Sequence, residues 1–92
     1  MRFINKVTGK TEKVEDIESI VRASITIDEY IDMMDDDEFP VSFFNESYGI
    51  ASVLNAVDKD RVKKMYDDYV DMVTMDVIHG EVDERIPIEM VE

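Results

Sequence analysis

Between Asp58 and Gly80 apolar residues recur at helical spacing: Val62, Tyr66, Tyr69, Val73 and Val77 step by four, three, four and four. Such steps lay one stripe along a helix. Asp58 stands where an N-cap acceptor is wanted, and His79-Gly80 offers a last-turn imidazole followed by a C′ glycine. A helix over Lys59 to His79 is about 20 residues, or ~30 Å, long, which is the diameter of a small domain. It is the longest element expected in the chain of 92 residues. Met65, Val70 and Met72 widen its apolar arc.

The remaining elements follow from shorter patterns. Val7-Thr8-Gly9-Lys10-Thr11 sets a glycine between two β-favouring runs and predicts an N-terminal hairpin. Val14, Ile17, Ile20 and Val21 predict a helix from Val14 to Ala23, with Glu15, Asp16 and Glu18 in the first turn where the dipole favours acids. Ile25-Thr26-Ile27 alternates as a brief strand would. Thr26-Ile27-Asp28-Glu29 is a capping box and opens a second helix to about Asp36, with Ile27, Tyr30, Ile31 and Met34 as its apolar stripe. Phe39-Pro40 ends it, because the residue before proline avoids the α region. Asn45 or Ser47 would cap a third helix to Val57, with Ile50, Val53, Leu54 and Val57 turned inward and Gly49 weakening its first turn. Arg85 to Met90 alternates and predicts an edge strand, where Pro87 is tolerated, beside the hairpin. The expectation is an α+β fold: a mostly helical single domain, residues 1–92, with a small antiparallel sheet.

Composition narrows the function. Ten basic residues face 23 acidic ones, a net charge of −13, yet 45% of the chain is hydrophobic, which is enough apolar mass to fold. That charge repels phosphate, so direct nucleic-acid binding is not expected. No apolar run approaches the ~20 residues of a membrane helix. Neither a secretory signal nor a lipidation motif is read at the termini, and the chain contains no cysteine; a cytoplasmic protein without disulfides or thiolate metal sites is expected.

The charge is segregated. Residues 1–14 balance at +3, residues 15–46 at −10, residues 59–64 at +3 and residues 65–92 at −8. Between Arg22 and Lys59 lie nine acids and no base over 36 residues. Within that stretch Asp28, Asp32, Asp35 and Asp36 fall on one face of the second helix. Like charges four residues apart destabilise a helix by about 0.2–0.5 kcal/mol per pair, and no local cation relieves Asp28/Asp32 or Asp32/Asp36. A face that only solubilises would mix signs. Carboxylates one turn apart are spaced by ~6 Å, about half the charge density of one DNA strand. Asp28, Glu29, Asp32, Asp35, Asp36, Asp37 and Glu38 are thus candidates for a phosphate-mimicking surface, and Asp67, Asp68 and Asp71 on the long helix for a second acidic row. Lys63 and Lys64, four residues before Asp67 and Asp68, would offset part of that row.

Other chemistry is poorly supplied. The Asp35-Asp36-Asp37 and Asp58-Lys59-Asp60 runs lack the glycine and glutamate of a calcium loop, so no metal and no cofactor is expected. His79 is the single histidine and has no nucleophile to serve; an enzyme is not expected. Met33, Met34, Met65, Met72 and Met75 read as core fillers on helices, with Met33 and Met75 off the main stripes. Phe39, Phe43 and Phe44 read as a core anchor or, if exposed, as an apolar hot spot beside the acids.

In size, charge, lack of cysteine and the acidic run Asp28–Glu38, the chain resembles the small acidic inhibitors of phages and mobile elements, among them anti-CRISPR proteins and other DNA mimics. The resemblance is one of composition and carries no individual site residue across. It implies a protein that occupies the nucleic-acid site of a basic partner, with a CRISPR effector nuclease as the target class. Two alternatives stand beside it. One is an immunity or antitoxin protein against a basic nuclease. The other is an adaptor that forms a homodimer through Val62, Tyr66, Tyr69 and Val73 of the long helix.

Overall fold

The computed structural model describes residues 2–37, 40–81 and 83–91, with the backbone alone for Phe43. The fold is α+β. Its described elements run β1 (Arg2–Asn5), β2 (Thr11–Glu12), α1 (Val14–Ser24), α2 (Ile27–Asp37), β3 (Val41–Phe43), β4 (Glu46–Tyr48), α3 (Ile50–Val57), α4 (Lys59–Ile78) and β5 (Ile88–Val91). They fall into two compact units, Met1–Ile25 with Asp68–Glu92, and Thr26–Asp67.

The first unit holds a three-stranded antiparallel sheet ordered β2-β1-β5. Phe3 lies opposite Glu12 on one side and Met90 on the other. Asn5 builds the hairpin turn: its Oδ1 accepts the N–H groups of Val7 (2.9 Å) and Thr8 (3.3 Å). Gly9 completes the turn at φ +74°, a left-handed conformation that glycine adopts without steric cost. β5 is the expected edge strand, but Pro87 precedes it; the Pro87 carbonyl accepts the Lys6 N–H at 2.8 Å. Phe3, Ile17, Val21, Val70, Val73, Val77, Ile86 and Ile88 are buried in this unit.

The long helix matches the reading of its sequence closely. Asp58 Oδ1 accepts the Arg61 N–H at 3.1 Å and caps the N-terminus. At the other end Gly80 (φ +89°) donates to Val77 O at 3.0 Å and Glu81 N–H to Asp76 O at 2.9 Å, which is a Schellman ending. Val62, Tyr66, Val73 and Val77 are buried as the stripe predicts, and Val70 is fully buried with them. Burial of Val62, Tyr66 and Val73 in the single chain takes most of the expected dimer stripe out of reach. Met72, expected in the apolar arc, is exposed.

Two further corrections concern local structure. Ile25-Thr26-Ile27 is not a strand: Ile25 is extended for one residue at the end of α1, and α2 begins at Ile27. Thr26 Oγ1 accepts the Glu29 N–H at 3.3 Å and also contacts the Glu29 carboxylate at 3.2 Å, so the capping pair forms. Asn45 and Ser47 do not cap α3. They belong to a β3–β4 hairpin, in which Val41 pairs with Tyr48 and Phe43 with Glu46 across a two-residue turn. The turn residues Phe44 (φ 51°) and Asn45 (φ 67°) are both left-handed, the signature of a type I′ turn. In the second unit Ile31, Ala51 and Val62 form a buried cluster, with Ile27, Met34 and Leu54 against it. Tyr30 meets Tyr66 edge to face at 5.8 Å.

Near the C-terminus Arg85 clasps Asp83 through Nε (3.1 Å) and Nη2 (2.8 Å) and lies over the Tyr69 ring at 5.8 Å. The guanidinium holds the Asp83 carboxyl below its ordinary 3.8. A carboxyl depressed on folding stabilises the fold above its unfolded pKa, and that contribution is lost as pH falls through the folded value. Partial exposure limits it to about 0.2–1 kcal/mol. Asp83→Asn should therefore be less stable than the parent by that amount near pH 7, and the gap should close in urea titrations repeated below pH ~4.

Candidate partner-binding surface

Helix α2 presents its acids in two ways. Asp28, Glu29, Asp32, Asp36 and Asp37 are exposed. Asp28, Asp32 and Asp36 follow one another by single turns, so three carboxylates span ~12 Å of one helix face. No ion pair joins Asp28, Asp32, Asp36 or Asp37 to a cation among the described residues. Glu38 lies outside the described residues. Asp67 is half-buried, whereas Asp68 and Asp71 are exposed on α4.

Asp35 is different. Its side chain is turned to α3, where Oδ1 accepts the N–H groups of Ala51 (2.7 Å) and Ser52 (3.1 Å) and Oδ2 accepts the Ser52 hydroxyl. The first turn of a helix has four N–H groups without intrahelical partners, and the positive end of its dipole favours a carboxylate. Asp35 meets both needs from 16 residues away. The N-cap residue itself, Gly49, provides no side-chain bond; its φ of −63° and ψ of 135° suit any residue. Glycine is required for space, because a Cβ there would overlap the Asp35 carboxylate. No sequence signal announces this contact: the local caps read from the sequence, Asn45 and Ser47, are displaced by a distant acid.

The capped helix is unusual in what it leaves uncovered. Of its apolar residues Ala51 is buried, Val53 and Leu54 are half-buried, and Ile50 and Val57 are exposed. The inward stripe expected at Ile50, Val53, Leu54 and Val57 is therefore offset. Phe44, expected as a core anchor, stands fully exposed at the hairpin tip. Phe39 and the Phe43 side chain lie outside the described residues. Between the hairpin and α3 runs an open groove of about 640 Å³ whose walls include Phe44, Tyr48, Val53 and Val57. The Tyr48 hydroxyl donates to Glu46 Oε2 at 2.6 Å, and holding that proton pushes the phenol above its ordinary value.

Met33, Met34 and Met65 are half-buried, and Met75 is exposed with Met72. His79 is exposed in the turn after α4. No cluster of three or more His, Cys, Asp or Glu groups among the described residues has the arrangement to hold a metal ion. No described helix is long and apolar enough to cross a membrane. Comparison with known protein families, with curated proteins and with solved structures gives no match.

The Asp35 contact yields a stability pattern. Asp35→Ala should cost about 1–2 kcal/mol in urea unfolding, as loss of a helix cap does. Gly49→Ala should cost a similar amount by evicting the carboxylate, and the double variant should cost clearly less than the two together. Asp32→Asn, on the open face, removes both like-charge pairs and should stabilise by up to ~1 kcal/mol at low salt.

Proposed function

We propose that this protein is a stoichiometric inhibitor that sets the acidic face of α2 into the cationic nucleic-acid site of a partner protein. One observation carries the reading. Asp28, Asp32, Asp36 and Asp37 stand exposed on one helix without a cation partner among the described residues, inside 36 residues that contain no base. A helix that only needed solubility would relieve this repulsion with lysine at the next turn. Retaining it makes sense where a positive surface supplies the missing charge. The turn spacing of ~6 Å lets successive carboxylates occupy phosphate subsites.

The chemistry is binding, without a reaction. Long-range attraction speeds the encounter and makes it sensitive to salt. The target class is a nuclease or another protein with a basic nucleic-acid channel; a CRISPR effector is the case implied by the compositional resemblance. On this reading the protein acts in the cytoplasm of the host cell, takes no cofactor and does not touch nucleic acid itself.

Immobilised protein should retain a basic nucleic-acid-binding protein from a bacterial lysate at low salt and release it as salt is raised. Asp28→Asn, Asp32→Asn, Asp36→Asn and Asp37→Asn combined should lower association by about tenfold or more while circular dichroism shows the fold intact. Retention unchanged by the four substitutions, or indifferent to salt, would refute the assignment.

A further inference from the structure

The exposed apolar groove beside the acidic helix has a cost that its fold does not recover. Phe44 is 99% exposed at φ 51°, so a bulky side chain is held left-handed with its ring in water. That conformation costs a non-glycine residue roughly 1–2 kcal/mol, and type I′ turns favour asparagine or glycine at this position. Val57 is 76% exposed in the same groove, and Tyr48, also in its wall, is exposed. A helix with six apolar residues among eight would ordinarily bury them. Here only Ala51 is buried outright.

Charge identifies what can cover this surface. The hairpin and α3 contain no base, and two acids stand at the groove: Glu46, which accepts the Tyr48 hydroxyl proton, and Asp58, directly after Val57; the Asp35 carboxylate reaches the wall at Ser52 but is spent capping α3. A second copy bringing the same surface would set acid against acid. A cationic segment would be drawn to the rim and would lose little on desolvation of its lysines or arginines, which stay at the edge. The groove volume of about 640 Å³ falls within the range of pockets that take small ligands, so one aromatic side chain fits with room to spare.

We propose that the groove between the β3–β4 hairpin and α3 is an anchor site for one aromatic or branched aliphatic side chain, carried on a lysine- or arginine-rich segment of the partner. This rests on the reading of a cationic partner and adds to it the source of lasting affinity. Charge at the rim sets mainly the rate of association, whereas a buried apolar anchor slows dissociation.

Three pentapeptides test it: one tryptophan flanked on each side by two lysines, the same peptide with serine in place of tryptophan, and one tryptophan flanked by glycines. The lysine–tryptophan peptide should bind at least tenfold more tightly than either control, moving the amide resonances of Tyr48, Ser52, Val53 and Val57. Phe44→Asn, which suits the turn, should keep or raise the melting temperature and remove that tenfold gain; Val57→Ser should remove part of it. Equal binding of the two lysine peptides, with resonance shifts confined to α2, overturns the anchor site and leaves the acidic face standing. Equal binding of the two tryptophan peptides overturns the cationic partner. A Phe44→Asn variant that unfolds assigns Phe44 to the fold and overturns the proposal, as does sedimentation showing a dimer that this substitution dissolves.

Discussion

The carboxylate of Asp35 ties the acidic helix to the apolar one. It satisfies two N–H groups and one hydroxyl at the start of α3 and leaves room for no side chain at Gly49. A single residue of the acidic run is thereby spent inside the structure. The rest of the run is left outside because α2 must present Asp35 to α3 on one side while Tyr30 and Ile31 are buried. Asp28, Asp32 and Asp36 are then left exposed. The same clasp draws α3 in at its first turn and buries Ala51, while Val57, two turns further on, remains open.

Several local penalties meet in the second unit. In residues 26–58 like charges repeat along α2, Phe44 sits in a left-handed turn, and α3 exposes apolar side chains. The other unit combines an Asx-type turn with glycine, a paired edge strand, a bidentate arginine–aspartate contact and an aliphatic core with penalties of its own: Val7, Met72 and Met75 are exposed, and the Thr74 hydroxyl is buried without a partner among the described residues. Where local preferences and global packing disagree, function is expected to bear on the sequence. The disagreement here has two signatures, unpaired negative charge and uncovered apolar surface. A partner combining positive charge with an apolar anchor would relieve both.

Much of the fold was legible because its signals are local. The stripe from Val62 to Val77, the Asp58 cap and Gly80 lie within one helix, and each is decided by spacing. Thr26 and Glu29 are three residues apart. The N-terminal hairpin is marked by Gly9 and the C-terminal strand by its alternation. What escaped depends on contacts distant in sequence or on turn chemistry that breaks its own preference. Asp35 to Ser52 is a tertiary contact, so Gly49 looked like a weak first turn when it is a gap made for a carboxylate. The β3–β4 hairpin was hidden because Phe44-Asn45 is a poor statistical match to a type I′ turn; alternation over Val41-Ser42-Phe43 was its only trace. The acidic face was visible as a run of residues. That Asp35 leaves it, and that Phe44 joins its neighbourhood rather than the core, required the structure.

On the proposed reading, the acidic face and nucleic acid compete for one site. The most direct measurement takes the partner retained from lysate, loads it with a fluorescent oligonucleotide of its own preferred type, and follows anisotropy as this protein is added. Competition predicts full displacement of the oligonucleotide, complete near one equivalent when partner concentration exceeds the dissociation constant, with no species containing all three components in sedimentation. A stable ternary complex, with the oligonucleotide still bound at saturating protein, would contradict phosphate mimicry and require the acidic face to have another use.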